Sequence, residues 1–545
     1  MAKNVDVISE MIGDWGPWQL RTVILIYLCK VPSAWFMACI IFTAPIPKPG
    51  EISCYQPENQ SVFKQNSLME PHQIVQPIDF CVKPNRTNDD ASLYNVNYAD
   101  EDANNFEFVP CTSFRFETPF ETTITKFNLV CSRTFLIATS QFFHLFGVLT
   151  GGILATKLME YTSPRNLMVR GMVIQIFIGS FAGLVSNYEI HMLLRYLAAV
   201  CCAQMYTAGQ VIFSDITGNK YRTTAICLFE NFWSIGVIIL PAIAFIDPKW
   251  SNIYLMISLP TILYIPLWWM IPDTPRWLLR KGQVDKAVAI IAYAISFNKR
   301  NPLSTAELHH RLVKYTSNSS KDTPPAKWHS LWNDRRIVLQ VIAVHISWAV
   351  YVTNYNGMLL NVKAFGREHL SLNTIAFGIS EIVGVFTGYF LIVNCKRKWQ
   401  YAGGFNIFAG IFASLGFFYP NSLAPDVKVG LLMLTALIPK IAVSCSQSML
   451  FTCTTEMVAP EKRKILVFSC IVWARICLLT APYIGALVEM HQLLPLSVFG
   501  ALSTIGGIAT CMITTPKTID KQCPEKELPS ACVPGKIFTI EKFDI

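Results

Sequence analysis

Apolar residues in this chain gather into long runs separated by polar breaks, and the runs recur at close to the length of one bilayer crossing. A helix needs about 20 mostly apolar residues to cross about 30 Å of hydrocarbon. Windows of that kind cover residues 21–44, 134–154, 166–186, 190–213, 223–246, 252–271, 337–360, 371–394, 401–419, 429–453, 465–487 and 494–515. The pattern predicts an all-α polytopic membrane protein with twelve transmembrane helices. Residues 1–20 are mixed polar, and the apolar run after them is too long for the core of a signal peptide. That run is expected to be the first span.

Two long polar segments interrupt the series. Residues 45–133 part the first span from the second, and residues 272–336 part the sixth from the seventh. The expected domains are an N-terminal segment 1–20, a six-helix half 21–271 that includes the loop 45–133, a central loop 272–336, a second six-helix half 337–515, and a tail 516–545. Six plus six spans with a long central loop suit a transporter of two pseudo-symmetric halves, with its site between them near the midplane.

Charge orients the chain. Lys157, Arg165, Lys220, Arg222, Lys396, Arg397, Lys398, Lys462, Arg463 and Lys464 fall in short loops on one face, against Lys249, Lys363, Arg367 and Lys428 on the other. Basic loops face the cytosol, and an even number of spans puts both termini there too. The net charge of +9 is then explained by cytosolic loops beside anionic lipid, and no nucleic-acid partner is needed.

On this orientation the segment 45–133 is extracellular. It carries Cys54, Cys81, Cys111 and Cys131, and N-glycosylation sequons at Asn59 and Asn85. Four cysteines in an oxidising compartment can pair in three ways, and the sequence does not choose among them. The expected result is a disulfide-stapled, glycosylated cap. The central loop is basic and partly helical around "DKAVAIIAYAIS".

Short motifs narrow the family. "PDTPRWLL" at 272–279 follows the sixth span, "TTITKFNLVC" at 122–131 precedes the second, "SDITGNKYRT" at 214–223 follows the fourth, and "TEMVAPEKR" lies at 455–463. In order and position these resemble signature elements of the organic ion transporters, the solute carrier 22 family within the major facilitator superfamily. The resemblance runs over essentially the whole chain. It implies the major facilitator fold, alternating access as a uniporter or exchanger, a small organic ion as substrate, and a plasma-membrane location.

The chain departs from that pattern at the latch loop between spans two and three. "GGILATKLMEYTSPR" keeps Gly152, Leu154 and Ala155 but has Thr156 and Lys157 at the family's aspartate and arginine positions. Asp215 with Arg222, or Glu456 with Arg463, are candidate substitute ion pairs for gating. The family's final PET element is Pro516-Lys517-Thr518 here. The chain therefore reads as a divergent member.

Ionisable residues inside the spans carry the candidate chemistry. A charge near the bilayer centre costs about 2.5 to 3.5 kcal/mol on insertion scales, so each needs a partner, water or a task. Arg475 lies some ten residues into span eleven, about 15 Å deep, and Lys440 lies about as deep in span ten. Glu381 in span eight and Glu230 in span five are the acidic candidates, and Lys30, Arg195, His144 and His345 complete the polar set. Arg475 either forms a bidentate ion pair with a buried carboxylate such as Glu381, or faces the cavity and attracts a substrate anion.

The family resemblance bears on that choice. Pro482 matches a proline of the family, which places Arg475 on a position that is arginine in organic anion transporters and typically aspartate in organic cation transporters. Lys440 matches a family lysine and adds positive charge, whereas a lysine of many anion carriers is replaced by Val385. In span seven, Trp348, Tyr355 and Gly357 are kept and Asn356 replaces a second tyrosine. Trp348, Tyr355 and Asn356, with Glu230 as a lining residue, are the expected contacts for flat or polar parts of a solute. His144 and His345 read as helix-contact residues.

These observations predict a transporter of organic anions or zwitterions. An organic cation or carnitine-like substrate is the runner-up, and a non-transporting membrane sensor or scaffold is the alternative of another class. No phosphate-binding loop, catalytic triad, cofactor motif or metal-ligand spacing is present in the sequence. An enzyme, a cofactor and a metal site are not expected, and the sequence carries no sign of oligomeric state.

Overall fold

The computed structural model describes residues 7–45, 47, 50–54, 81–84, 108–319, 331–332, 335–365, 369–415, 425–458, 462–491 and 493–514. The sequons at Asn59 and Asn85 and the expected tail lie outside the described residues. Each of the twelve apolar windows is largely helical over its described residues. Nine helices among the described residues are long and apolar enough to cross a membrane. The remaining three windows are weaker for visible reasons. The third span, Pro164–Ala182, carries Arg165 and Arg170; the sixth divides into an α-helix, Trp250–Ser258, and a 3₁₀ stretch, Leu259–Met270; and the ninth, Lys398–Leu415, includes the polar Lys398, Gln400 and Asn406.

Local chemistry sets the helix ends. The Ser163 side chain accepts from Asn166 N, with Pro164 opening the third span. Asn187 Oδ1 accepts from Glu189 N and Ile190 N at the start of the fourth, Tyr188–Ile216. Both satisfy amides that a helix start leaves unpaired.

Two further sequence windows that read as single spans are broken. The first consists of Pro17–Leu28, Lys30–Ala38 and Ile40–Thr43. The eleventh ends at Leu478 and resumes at Ala481–Ala486, with Pro482 at the new start. Proline has no amide to donate to the preceding turn, so the helix stops before it.

The first span fixes the two ends of the molecule. At its start, Asn298, the residue that caps the end of the central-loop helix Val284–Phe297, bonds Gln19 Oε1, Ile12 O and Trp18 N. At its finish, Thr123 Oγ1 of the disulfide loop donates to Thr43 O at 3.0 Å. The N-terminal helix Val7–Ile12 and the central loop thus share one end, and the disulfide loop caps the other. In that cap, strand Ile52–Cys54 pairs antiparallel with Phe114–Phe116, and Val82–Pro84 with Phe108–Pro110. Of the three possible pairings the structure selects Cys54 with Cys111 and Cys81 with Cys131.

Within the halves, glycines let backbones meet. A Cβ at Gly151 of the second span, Phe135–Leu158, would lie 2.6 Å from Val200 O of the fourth. A Cβ at Gly410 of the ninth would lie 2.5 Å from Gly500 O of the twelfth, Leu494–Cys511. In lipid, where helices gain no hydrophobic drive from each other, such close packing holds them together. Large side chains such as Phe245, Leu263, Phe390 and Phe408 are exposed on the outer surface, where acyl chains would meet them.

Between halves, the fifth span, Asn219–Ile246, packs on the eighth, Leu370–Asn394, and the second packs on the eleventh, Arg463–Leu478. Thr224 and Tyr389 hydroxyls meet at 3.2 Å near the central-loop end. Lys363 Nζ donates to Ala44 O at 2.8 Å near the cap.

Candidate functional site

Arg475 reaches across the interface between the halves. It sits in the last turn of its helix, where unpaired carbonyls favour a cation. Nη1 donates to Val148 O of the second span at 3.0 Å, and Nη2 donates to the Tyr206 hydroxyl of the fourth at 2.9 Å. Gly152 makes room for it: a Cβ there would fall 1.7 Å from Nη1. The side chain is only partly buried, and among the described residues no carboxylate lies within ion-pair distance of it.

Glu381 does not answer Arg475, contrary to one sequence expectation. It pairs with Lys440 at 2.5 Å, and neither side chain is exposed. Pro439 lies inside the tenth helix, Pro425–Cys453, immediately before that lysine. Lys440 Nζ also donates to Tyr355 O at 2.6 Å and lies 3.8 Å from the Tyr355 ring centroid. Two buried ions demand such mutual satisfaction, because an unpaired charge of either sign would be strongly unfavourable there. Lys440 is therefore not a second open cation beside Arg475.

A second pair occupies the N-terminal half. Lys30 Nζ lies 3.1 Å from Glu230 Oε1, with side chains 9% and 12% exposed. Its ammonium is surrounded by the rings of Phe229, Tyr206 and Trp233, with centroids at 4.5, 4.9 and 5.5 Å. Tyr206 thus touches both sets, its hydroxyl on Arg475 and its ring toward Lys30. A polar layer runs across the interface, with Lys30, Lys440 and Arg475 against Glu230 and Glu381.

Other expected contacts are placed differently. Trp348 is 2% exposed; its Nε1 donates to Thr454 Oγ1 at 3.0 Å and its ring packs edge-on against Phe451. It is a packing residue of the C-terminal half rather than a cavity wall. Asn356 donates to Val352 O of its own helix, while Asn354 ties the seventh span, Arg335–Leu360, to Phe499 O and Ser503 Oγ of the twelfth. His144 is 2% exposed, and His345 bonds Val341 O of its own helix and Ser469 Oγ of the eleventh span, joining two helices. Arg195 is 3% exposed and held by Tyr254, Gln141 and Cys39.

The gating residues are partly repartnered. Glu456 pairs with Lys398 at 2.8 Å rather than with Arg463, whose Nε donates to Val458 O. Arg222 Nη2 donates to Thr217 O, close to Asp215 at the end of the fourth span. Lys157 is exposed in the last turn of the second span. Thr156, at the latch position, donates its hydroxyl to Gly152 O within that helix.

Sequence reasoning passed over Tyr206 and the ring pair Phe229 and Trp233. A polar-tipped aromatic 18 residues past the start of the fourth span was the available signal for Tyr206, since a buried phenol needs a partner. Nothing local marks Val148, whose contribution is a backbone carbonyl.

Similarity to known proteins follows the same outline. The sequence profile described as Major Facilitator Superfamily matches residues 127–468. The chain is 26% identical to an "Organic cation transporter protein" of Drosophila melanogaster over 95% of its own length and 93% of that protein. It is 24% identical to "Solute carrier family 22 member 13" of Homo sapiens, covering 94% and 91%. Among solved structures, the partially occluded inward-open xylose transporter XylE of E. coli superimposes with a TM-score of 0.58 at 12% identity, covering 90% of this chain and 98% of that one. The similarity to these relatives thus runs along nearly the whole chain.

Proposed function

The chain belongs to the Major Facilitator Superfamily, a superfamily of membrane transporters rather than enzymes, and from that premise we propose that it carries small organic anions or zwitterions by alternating access. Arg475 is the charge that selects them. The observation that supports this reading most directly is the unequal pairing of the three cations in the polar layer. Lys440 has Glu381 and Lys30 has Glu230, whereas Arg475 has, among the described residues, the neutral oxygens of Val148 and Tyr206 and no carboxylate. A partly exposed guanidinium without a counterion attracts carboxylate, sulfate or phosphate and repels a second cation.

Rocking of the two halves about this layer would expose it to each side in turn. Arg475 bonds the opposite half directly, so binding and rocking act on the same contact. The substrate moves by facilitated diffusion or exchange. The protein resides in the plasma membrane with its termini in the cytosol, a reading supported by the basic loops on the side of the termini and by disulfides in the opposite loop.

The test is uptake of matched labelled carboxylates, zwitterions and quaternary ammonium ions by cells expressing wild type, Arg475→Ala and Arg475→Asp at equal surface density. Anion or zwitterion uptake that collapses in both variants supports the reading. Cation uptake by wild type that survives Arg475→Ala overturns it, and a surface-expressed wild type that moves none of the panel would favour a sensor instead.

A further inference from the structure

Lys30 lies in surroundings that chemistry associates with a bound ligand rather than with a structural lysine. Three aromatic centroids stand within 5.5 Å of its ammonium, inside the range of about 6 Å at which a ring face attracts a cation. Glu230 closes the fourth side at 3.1 Å. An ion pair alone needs one carboxylate and no rings. Rings converging on an ammonium beside a carboxylate form the kind of box that recognises alkylammonium ligands.

The walls are rigid and partly unused. Phe229 is 1% and Trp233 8% exposed, both on the fifth span with Glu230. The Trp233 indole N–H has no hydrogen-bond partner among the described residues, leaving a buried donor in the wall. Tyr206, the third ring, is shared with Arg475. The box therefore adjoins the guanidinium that selects anions.

We propose that Lys30 is a tethered cation filling a latent organic-cation site bounded by Tyr206, Phe229, Trp233 and Glu230, and that it is the residue that denies this site to a free ammonium ligand. A lysine on the first span occupies the box without leaving the protein, so a free solute must compete with a tethered ammonium. Removing its ammonium leaves Glu230 as a poorly solvated carboxylate facing three rings, and a small quaternary or primary ammonium ion restores both contacts. Its position beside Arg475 as a substrate subsite rests on the proposed anion reading, but occupancy of the box by a cation is measurable without it.

The probes are tetramethylammonium and methylammonium, added to purified full-length protein in detergent. Wild type is expected to show no saturable thermal shift with either. Lys30→Ala is expected to melt lower than wild type and to regain stability saturably, at concentrations at least about tenfold below any that shift wild type, the scale of a desolvated cation–π contact. Adding Glu230→Gln to Lys30→Ala should remove the response.

An unresponsive Lys30→Ala, or an equal response in the Lys30→Ala/Glu230→Gln protein, overturns the proposal. If Lys30→Ala does not accumulate in cells, growth with methylamine should restore its yield, and no restoration also overturns it. Organic anion uptake by wild type, run in parallel, separates the two readings. Anion uptake without a gained cation response sinks only the Lys30 proposal; a gained response without anion uptake sinks only the anion reading.

Discussion

Lys440 and Glu381 meet at 2.5 Å with neither side chain exposed. The contact withdraws one cation and one carboxylate from any solute and leaves Arg475 without the ion-pair partner that sequence offered it. Breaking the pair should therefore act on stability before it acts on selectivity. Glu381→Gln strands a buried ammonium and should cost about 3–5 kcal/mol, whereas the double change Lys440→Met/Glu381→Leu should recover most of that loss. Thermal denaturation of purified protein reads both, and a Glu381→Gln protein as stable as wild type would refute the pairing.

Tyr206→Phe keeps the ring that faces Lys30 and deletes the oxygen that receives Arg475 Nη2. The bond, of the charged class that contributes about 1.5–3 kcal/mol, holds the guanidinium in place, and without it KM for an organic anion is expected to rise. Concentration-dependent uptake at equal surface density is the measurement. An unchanged KM would reduce Tyr206 to a space-filling role.

Gly152 abuts the guanidinium so closely that even one methyl group must displace it. Gly152→Ala is expected to reduce organic anion uptake toward the level of Arg475→Ala. Because both changes act through one contact, the double variant should add almost nothing, which is the signature of coupled sites. Independent, additive losses in a double-mutant cycle would separate the two residues.

The cap offers a chemical check. Peptide mapping under non-reducing conditions should recover Cys54 linked to Cys111 and Cys81 linked to Cys131, and neither alternative pairing. Cys131 lies in a 3₁₀ turn just before the second span, so its bridge ties the cap to the membrane domain. Cys81→Ser should destabilise the cap by about 2–5 kcal/mol, read as faster proteolysis of the loop in intact cells.

Much was legible before any fold was known. Twelve apolar windows, two polar interruptions and a bias of basic loops follow from residue type and local run length, since each helix must satisfy its own backbone in lipid. The depth of Arg475 was legible for the same reason, from its distance along one helix. The break before Pro482, which puts Arg475 in a last turn, had a local signal in the proline itself.

Which charge meets which was not legible, and three-dimensional neighbourhood alone decided it. Lys30 and Glu230 are 200 residues apart in sequence, and Arg475 and Tyr206 are 269 apart. Hydrophobic patterning states that each of these side chains lies within the membrane but carries no record of the face it presents to another helix. Ion pairing requires contact at a few ångströms, and in a bundle of twelve helices that is fixed by packing, glycine by glycine at the closest crossings. The sequence therefore determined that this protein holds buried charges, and only the tertiary structure decided that Lys440 and Lys30 have carboxylates while Arg475 has none among the described residues.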